Sequence, residues 1–155
     1  PKHIQQFLKE GHLRWDSLGE FLALAVSIKD ISEKTNNKKA AIITKSLDIA
    51  ISKVLKNKKS PTRKVGELDN RGSHFYLAMY WAEELANQSL DNELKDQFAK
   101  LHHELKNNEE KIINEINITQ GKAINIGGYY HPDPELTTKS MCPSKTLNKI
   151  ISAFS

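Results

Sequence analysis

The chain has 155 residues, 38% hydrophobic and 27% charged, with 23 lysines and arginines against 19 acidic residues and a formal net charge of +4. This length supports one domain with a core of ordinary size, and the composition is that of a soluble globular protein. No apolar run approaches the ~18 residues that span a bilayer, which excludes a membrane-spanning protein, and the single cysteine, Cys142, forms no internal disulfide, which favours the cytoplasm.

The hydrophobic pattern predicts helices along nearly the whole chain. Ser17 and Glu20 have the spacing of a capping box, and the apolar residues after them predict a first long helix over about 17–34. A second amphipathic helix follows and ends before Ser60 and Pro61. Its predicted apolar face consists of Ile43, Leu47, Ala50, Ile51, Val54 and Leu55.

Residues 60–76 have neither helical nor strand periodicity, which predicts a structured loop or a short extended segment. Ser73 is the expected cap of a third helix. Ser89 or Asp91 is the expected cap of a fourth helix, whose apolar stripe continues to about residue 118.

Residues 125–135 contain two glycines and two prolines and predict a turn-rich connection. Ser144 is the expected cap of a short final helix. The residues of that helix expected to face inward are Leu147, Ile150, Ile151 and Phe154. The predicted fold class is therefore mainly α, with residues 1–155 forming one unit.

The positive charge is concentrated in one part of the chain. Residues 38–64 carry nine lysines and arginines and one acid, Asp48, and nine minus one gives a local charge of +8. Such a block suggests an anionic ligand, although lysines on a helix more often form a solvated face, which is the interpretation adopted for residues 38–59. A small basic nucleic-acid-binding module is the alternative, but the block lacks interleaved aromatic residues and a DNA-binding motif.

Histidine and cysteine spacing does not predict a metal site or a thiol nucleophile. His102 and His103 are adjacent, so their rings point about 100° apart on a helix and do not chelate one ion. The other histidines are scattered, and an isolated histidine is more often a hydrogen-bonded structural residue than a ligand. Cys142 has no histidine within several residues and is expected to be inert.

The sequence contains neither a GxxxxGK[ST] loop nor GxGxxG, so any phosphate site is built from side chains. Arginine suits that task because its planar fork donates two parallel hydrogen bonds to a phosphate. The chain has three arginines: Arg14, Arg63 and Arg71. The arginines are equally well explained as ion-pair partners of nearby acids such as Asp16, Glu67 or Asp69.

The start of the first long helix is a second feature that favours an anion. A helix N-terminus has unpaired amides and a partial positive charge, and Arg14 adds a full charge there. Asp16 is expected to accept hydrogen bonds from a sugar hydroxyl or from helix amides. Trp15 is either a lid over a planar base or a core residue, and the core is favoured.

Three segments, PKHIQQFLKEGHLRWDSLGEFLALA, KSPTRKVGELDNRGSHFYLAMYWA and QGKAINIGGYYHPD, resemble the C-terminal part of the bacterial monomeric NADP-dependent isocitrate dehydrogenases. The resemblance extends over essentially the whole chain. It implies a helical C-terminal segment of the smaller, cofactor-binding α/β domain of a two-domain enzyme, without its large catalytic domain and N-terminal segment. The implied reaction is oxidation and decarboxylation of isocitrate to 2-oxoglutarate with NADP and Mg or Mn.

The resemblance also implies site residues. In the family, the histidine of the PKH motif, the RWD triplet and the arginine of the S-P-x-R-K motif contact the cofactor. The matching residues here are His3, Arg14, Trp15, Asp16 and Arg63. Arg14 and Arg63 are the implied ligands of the 2′-phosphate, which requires their two loops to adjoin in space.

No catalytic residue and no metal ligand is expected in this segment, since the family's metal-binding aspartates and most isocitrate-binding residues match no part of it. The chain begins at Pro1, inside a motif, so the natural protein is expected to extend upstream and the isolated chain to be inactive. NADP and isocitrate are the expected partners of the full enzyme, which is expected to be cytoplasmic and monomeric, with no nucleic acid or membrane partner.

Overall fold

The computed structural model describes residues 1–154, and within that range the chain forms eight α-helices and no β-strand. The prediction of a mainly α fold is confirmed. No helix in this range has both the length and the apolar composition needed to cross a membrane. The helices are α1 (Lys2–Glu10), α2 (Leu18–Thr35), α3 (Lys38–Lys56), α4 (Asn70–Asn87), α5 (Asn92–Asn107), α6 (Glu109–Asn117), α7 (Pro134–Met141) and α8 (Lys145–Ala153).

Helix α4 lies at the centre of the fold. It packs against α3 and α5, and α2 packs against α3. Eleven of its 18 residues are buried, so its contacts surround the helix and do not follow one stripe. Leu47 of α3, Phe75 of α4 and Leu105 of α5 are at most 2% exposed. The first turn of α4 is buried, and it therefore holds the loops that approach it in place.

The start of α4 differs from the prediction. Residues 70–72 are helical, and Asp69 caps them by accepting hydrogen bonds from the amides of Arg71 at 3.0 Å and Gly72 at 3.4 Å. The loop prediction for residues 60–76 is therefore wrong beyond Asp69, and Ser73 lies inside the helix. Gly72 obscures the helical pattern, yet a Cβ at this position would overlap Cδ1 of Leu68.

The predicted fourth helix is two helices. Asp91 caps α5 by accepting from the amide of Leu94 at 2.9 Å, but the helix ends at Asn107, and α6 starts after Asn108. Leu105 and Ile112, on either side of the break between α5 and α6, are both fully buried. The apolar stripe therefore continues across the break, and the sequence pattern does not reveal where α5 ends.

Two short helices are missing from the prediction. Helix α1 ends at Glu10, and Gly11 follows it with φ 65°, a left-handed conformation that glycine adopts readily. A Cβ at Gly11 would lie 2.9 Å from the carbonyl oxygen of Thr119. Helix α7 starts at Pro134, inside the predicted turn region, with Asp133 as its cap. Both are too short for helical periodicity to stand out from the sequence.

The faces of α3 agree with the prediction in part. Leu47, Ala50, Ile51 and Val54 are buried and Ile43 is half-buried, but Leu55 is 49% exposed, so its assignment to the apolar face is wrong. The solvated face is also only partly as predicted. Ion pairs or a ring contact join Lys39 to Glu93, Lys53 to Glu83 and Glu84, and Lys59 to the ring of Tyr76.

Helix α8 begins as predicted, with Ser144 Oγ accepting from the amide of Leu147 at 3.0 Å. Glu115 of α6 supports this cap by accepting from Ser144 Oγ at 2.6 Å and from Thr146 Oγ1 at 2.7 Å. Leu147, Ile150 and Phe154 are half-buried. Ile151 is 49% exposed, so the prediction that it faces inward is wrong.

We expect Glu115→Gln to lower the free energy of unfolding by about 1–2 kcal/mol at pH 7, because it removes charge-assisted hydrogen bonds. The hydrogen bond from Ser144 is the main cause that holds the pKa of Glu115 below its usual value. A lowered pKa stabilises the folded state above the unfolded pKa of about 4.3, and this contribution disappears as the pH falls through the folded pKa. Urea unfolding at several pH values should therefore show a difference that shrinks in acid.

The control for this experiment is Glu110→Gln, on the same helix and exposed. It should change the free energy of unfolding by less than about 0.5 kcal/mol. A Glu115→Gln deficit that stays constant from pH 7 to below the folded pKa of the carboxyl would show that its charge does not act through this cap.

Candidate functional site

Two loops meet where α4 begins. The first loop comprises residues 11–17, between α1 and α2, and the second loop comprises residues 57–69, between α3 and α4. The amide of Asn70 donates to the carbonyl of Leu13 at 2.9 Å, and Nε of Arg14 donates to the carbonyl of Arg63 at 2.7 Å. The two loops therefore adjoin, although Arg14 and Arg63 are 49 positions apart in sequence.

The guanidinium groups of Arg14 and Arg63 differ in how they are held. Nη1 of Arg14 lies 2.9 Å from Oε2 of Glu10, and this hydrogen bond holds the pKa of Glu10 below its usual value. Arg14 thus pairs with Glu10 instead of Asp16. Arg63 is exposed, and within residues 1–154 its guanidinium and Nη2 of Arg14 have no hydrogen-bond partner. The Arg14 side chain is thus anchored between Glu10 and the Arg63 backbone, whereas the Arg63 guanidinium has no ion pair within residues 1–154.

Helix α1 brings His3 into contact with the first loop. The rings of His3 and Trp15 meet edge to face with their centroids 5.3 Å apart. Trp15 is 45% exposed, and its Nε1 donates to Oε1 of Glu20 at 3.0 Å, so the preference for a core position is wrong. The cause is tertiary, because Asn70 of α4 holds the carbonyl of Trp15 at 2.9 Å and the ring lies on the surface.

The start of α2 is capped differently from the predicted capping box. Ser17 makes no side-chain cap bond, because its Oγ accepts from Asn70 Nδ2 at 2.7 Å. Oδ1 of Asp16 accepts from the amide of Leu18 at 3.0 Å instead. In the part of the chain that the structure describes, the amides of Gly19 and Glu20 have no partner, and a Cβ at Gly19 would meet nothing within 4 Å. The N-terminus of α2 is therefore open to solvent.

The groups on the first loop, the start of α2 and the second loop are of the kinds that bind a phosphorylated, planar ligand. Unpaired guanidinium N–H groups and open helix amides bind phosphate, and an exposed indole ring offers a flat face for a base.

The sequence model of one family, described as Monomeric isocitrate dehydrogenase, matches residues 1–152. The chain belongs to the monomeric isocitrate dehydrogenase family. The resemblance inferred from the three sequence segments is confirmed.

Several curated members of the monomeric isocitrate dehydrogenase family are similar to the chain. Isocitrate dehydrogenase [NADP] 2 of Colwellia maris is 57% identical over 154 residues, which are 99% of this chain and 21% of that protein. Isocitrate dehydrogenase [NADP] of Azotobacter vinelandii is 56% identical over 148 residues, 96% of this chain and 20% of that protein. Isocitrate dehydrogenase [NADP] 2 of Mycobacterium tuberculosis is 56% identical over 153 residues, 99% of this chain and 20% of that protein. The chain therefore spans about a fifth of the length of these relatives, and the matches give no support to a nucleic-acid-binding module.

The third arginine has a structural role. Arg71 is paired with Asp69 at 2.7 Å, and their side chains are 2% and 0% exposed. Arg71 also donates to the carbonyls of Gly11 and Ser140, each at 2.8 Å, while Asp69 accepts from the amide of Leu13 at 3.2 Å. Of the two roles considered for the arginines, ligand binding and pairing with an acid, Arg71 has the second. Its pair with Asp69 fixes the first loop to α4.

Sequence reasoning did not single out His12, Gln120 or Asn70, which join the two loops to each other and to the residues after α6. Their partners are 50–108 positions away in sequence, so no local pattern identifies them. Among the described residues, no group of three or more His, Cys, Asp or Glu side chains is arranged to hold a metal ion. No step through a metal is therefore assigned to these residues.

Proposed function

We propose that this chain is the C-terminal segment of the cofactor-binding domain of an enzyme that oxidises and decarboxylates isocitrate to 2-oxoglutarate and reduces NADP. The names of the relatives and their 47–57% identity over nearly the whole chain support this proposal. The protein is proposed to be cytoplasmic and monomeric, with isocitrate and NADP as its small-molecule partners.

Arg14 and Arg63 are the proposed ligands of the 2′-phosphate of NADP. The observation that supports this assignment is the 2.7 Å hydrogen bond from Arg14 Nε to the backbone carbonyl of Arg63, because it joins the two loops that carry the arginines. A 2′-phosphate carries nearly two negative charges, and each charge-assisted contact to it is stronger than a neutral hydrogen bond. NAD lacks this phosphate, so the pair would select NADP.

Three further residues are proposed to orient the cofactor. Oδ2 of Asp16 has no partner within residues 1–154, since Leu18 uses Oδ1, and it is proposed to accept from a ribose hydroxyl. The exposed ring of Trp15 is proposed to contact the adenine, and His3 to reach the phosphate from α1. NADP supplies the hydride acceptor when it is bound. Catalytic residues and the ligands of Mg or Mn are proposed to lie in the rest of the enzyme.

The test is to express in full the open reading frame that encodes this chain, and to assay it for NADPH formation from isocitrate and magnesium. The full product is expected to be active, whereas the isolated 155-residue chain is expected to be inactive, because the electrostatic stabilisation by a metal and its carboxylates is absent from it. Isocitrate-dependent NADPH formation by the isolated chain, or its absence from the folded full product, would contradict the proposal.

A further inference from the structure

His12 is fully buried at the junction of the two loops, with an exposed fraction of 0%. Its Nε2 lies 2.8 Å from the carbonyl oxygen of Thr62 in the second loop. Its Nδ1 lies 2.6 Å from Oε1 of Gln120, which follows α6. The side chain therefore connects the first loop to two segments that are distant in sequence.

The orientation of the Gln120 amide is fixed by two other hydrogen bonds. The backbone amide of Gly66 lies 2.7 Å from Oε1, and an N–H can only donate, so this atom is the oxygen. Nε2 lies 2.9 Å from the carbonyl oxygen of Glu67, which can only accept, so this atom is the nitrogen. The amide is not reversed, and the atom facing His12 Nδ1 is an acceptor.

Both ring nitrogens of His12 therefore face oxygen atoms that accept hydrogen bonds. A neutral imidazole has one N–H, so it would leave one nitrogen lone pair against an oxygen at 2.6 or 2.8 Å. Two donors are present only in the imidazolium form. The hydrogen bonds of His12 therefore fit a ring that carries a proton on both Nδ1 and Nε2.

We infer that His12 is an imidazolium positioning residue that holds the two loops together and thereby sets Arg14 beside Arg63. This inference rests on the proposed function of the two arginines. Thr62 directly precedes Arg63, and His12 lies two positions before Arg14, so the His12 bridge and the hydrogen bond from Arg14 to the Arg63 carbonyl hold the same pair of segments. Because His12 is fully buried, the bridge acts through the placement of the arginines.

The protonation state is measured directly by neutron diffraction from crystals of the full-length protein at about pH 7. Nuclear density for hydrogen or deuterium on both Nδ1 and Nε2 of His12 is the expected result. Density on one nitrogen alone would overturn the inference, whatever the effect of any substitution.

The positioning role is measured with His12→Gln in the full-length protein, because a glutamine amide has an oxygen in place of the second donor and cannot donate toward both acceptors. We expect the KM for NADP to rise about three- to tenfold, while the KM for NAD and kcat at saturating NADP stay within about twofold. His131→Gln, at an exposed loop position, is the matched control and should leave all three constants unchanged.

A folded His12→Gln enzyme whose ratio of KM values for NADP and NAD is unchanged would contradict the positioning role. Loss of NADP preference in Arg63→Ala but not in His12→Gln would refute this inference and leave the proposed function intact. Absence of NADP-dependent isocitrate oxidation in the wild-type enzyme would refute the proposed function itself. If His12→Gln does not fold, the neutron measurement still decides the protonation state.

Discussion

Asp69→Ala is expected to lower the free energy of unfolding by about 3–5 kcal/mol, because it leaves a buried guanidinium without its counter-ion. Arg71 is 2% exposed in its side chain and pairs with Asp69 at 2.7 Å. The substitution also removes the cap of α4 and the acceptor for the amide of Leu13 at 3.2 Å. Urea unfolding followed by circular dichroism measures the change.

Two further variants separate the buried charge from the general loss of a side chain. The double variant Asp69→Ala/Arg71→Met should recover part of the lost stability, because it removes the unpaired cation together with its partner. Asp48→Ala, an exposed acid on α3, is the control and should change the free energy of unfolding by less than about 0.5 kcal/mol. An Asp69→Ala deficit below about 1 kcal/mol would contradict the structural role assigned to the pair.

In the full-length enzyme, Arg63→Ala and Arg14→Ala should each raise the KM for NADP by roughly tenfold to a hundredfold, at about 1.4 kcal/mol per decade. The KM for NAD should change little in Arg63→Ala, because the Arg63 side chain has no partner within residues 1–154 whose loss would disturb the loops. Arg14→Ala also loses the ion pair with Glu10, so a modest effect on NAD is expected there. Initial rates with each cofactor give both constants.

The control for the arginines is Lys64→Ala, which removes an exposed cation next to Arg63 in the second loop. Lys64 lies 3.3 Å from Glu67, an exposed ion pair of little energetic weight. Its KM for NADP should stay within about threefold of wild type. An effect of Lys64→Ala as large as that of Arg63→Ala would show that NADP responds to local net charge and not to a specific arginine contact.

Local sequence signals predicted the parts of the fold that depend on local interactions. The Ser144 cap and most of the buried side of α3 follow from hydrogen bonds and periodicity within a few residues, and they hold in the structure except at Leu55. The start of α4 does not follow, because Asp69 and Ser73 are both suitable caps and the choice depends on packing around Gly72. The break at Asn108 is concealed because the apolar stripe continues through it.

The candidate site depends on contacts between distant segments, and this limits what the sequence can predict. Composition and spacing identified arginines and a helix start, but gave equal weight to ligand binding and pairing with acids. The resemblance to a family selected Arg14 and Arg63, and the structure then placed their loops together. The surface position of Trp15 depends on Asn70, which is 55 positions away, and the bridge from His12 to Gln120 crosses 108 positions.

Arg14 and Arg63 are proposed to bind the 2′-phosphate that distinguishes NADP from NAD. Isothermal titration of the full-length protein and its Arg14→Ala/Arg63→Ala variant with each cofactor tests it most directly. Wild type is expected to bind NADP more tightly than NAD, and the double variant is expected to lose most of this difference through weaker NADP binding. A ratio of the two dissociation constants that stays within about twofold of wild type, a shift of ~0.4 kcal/mol, would contradict the account.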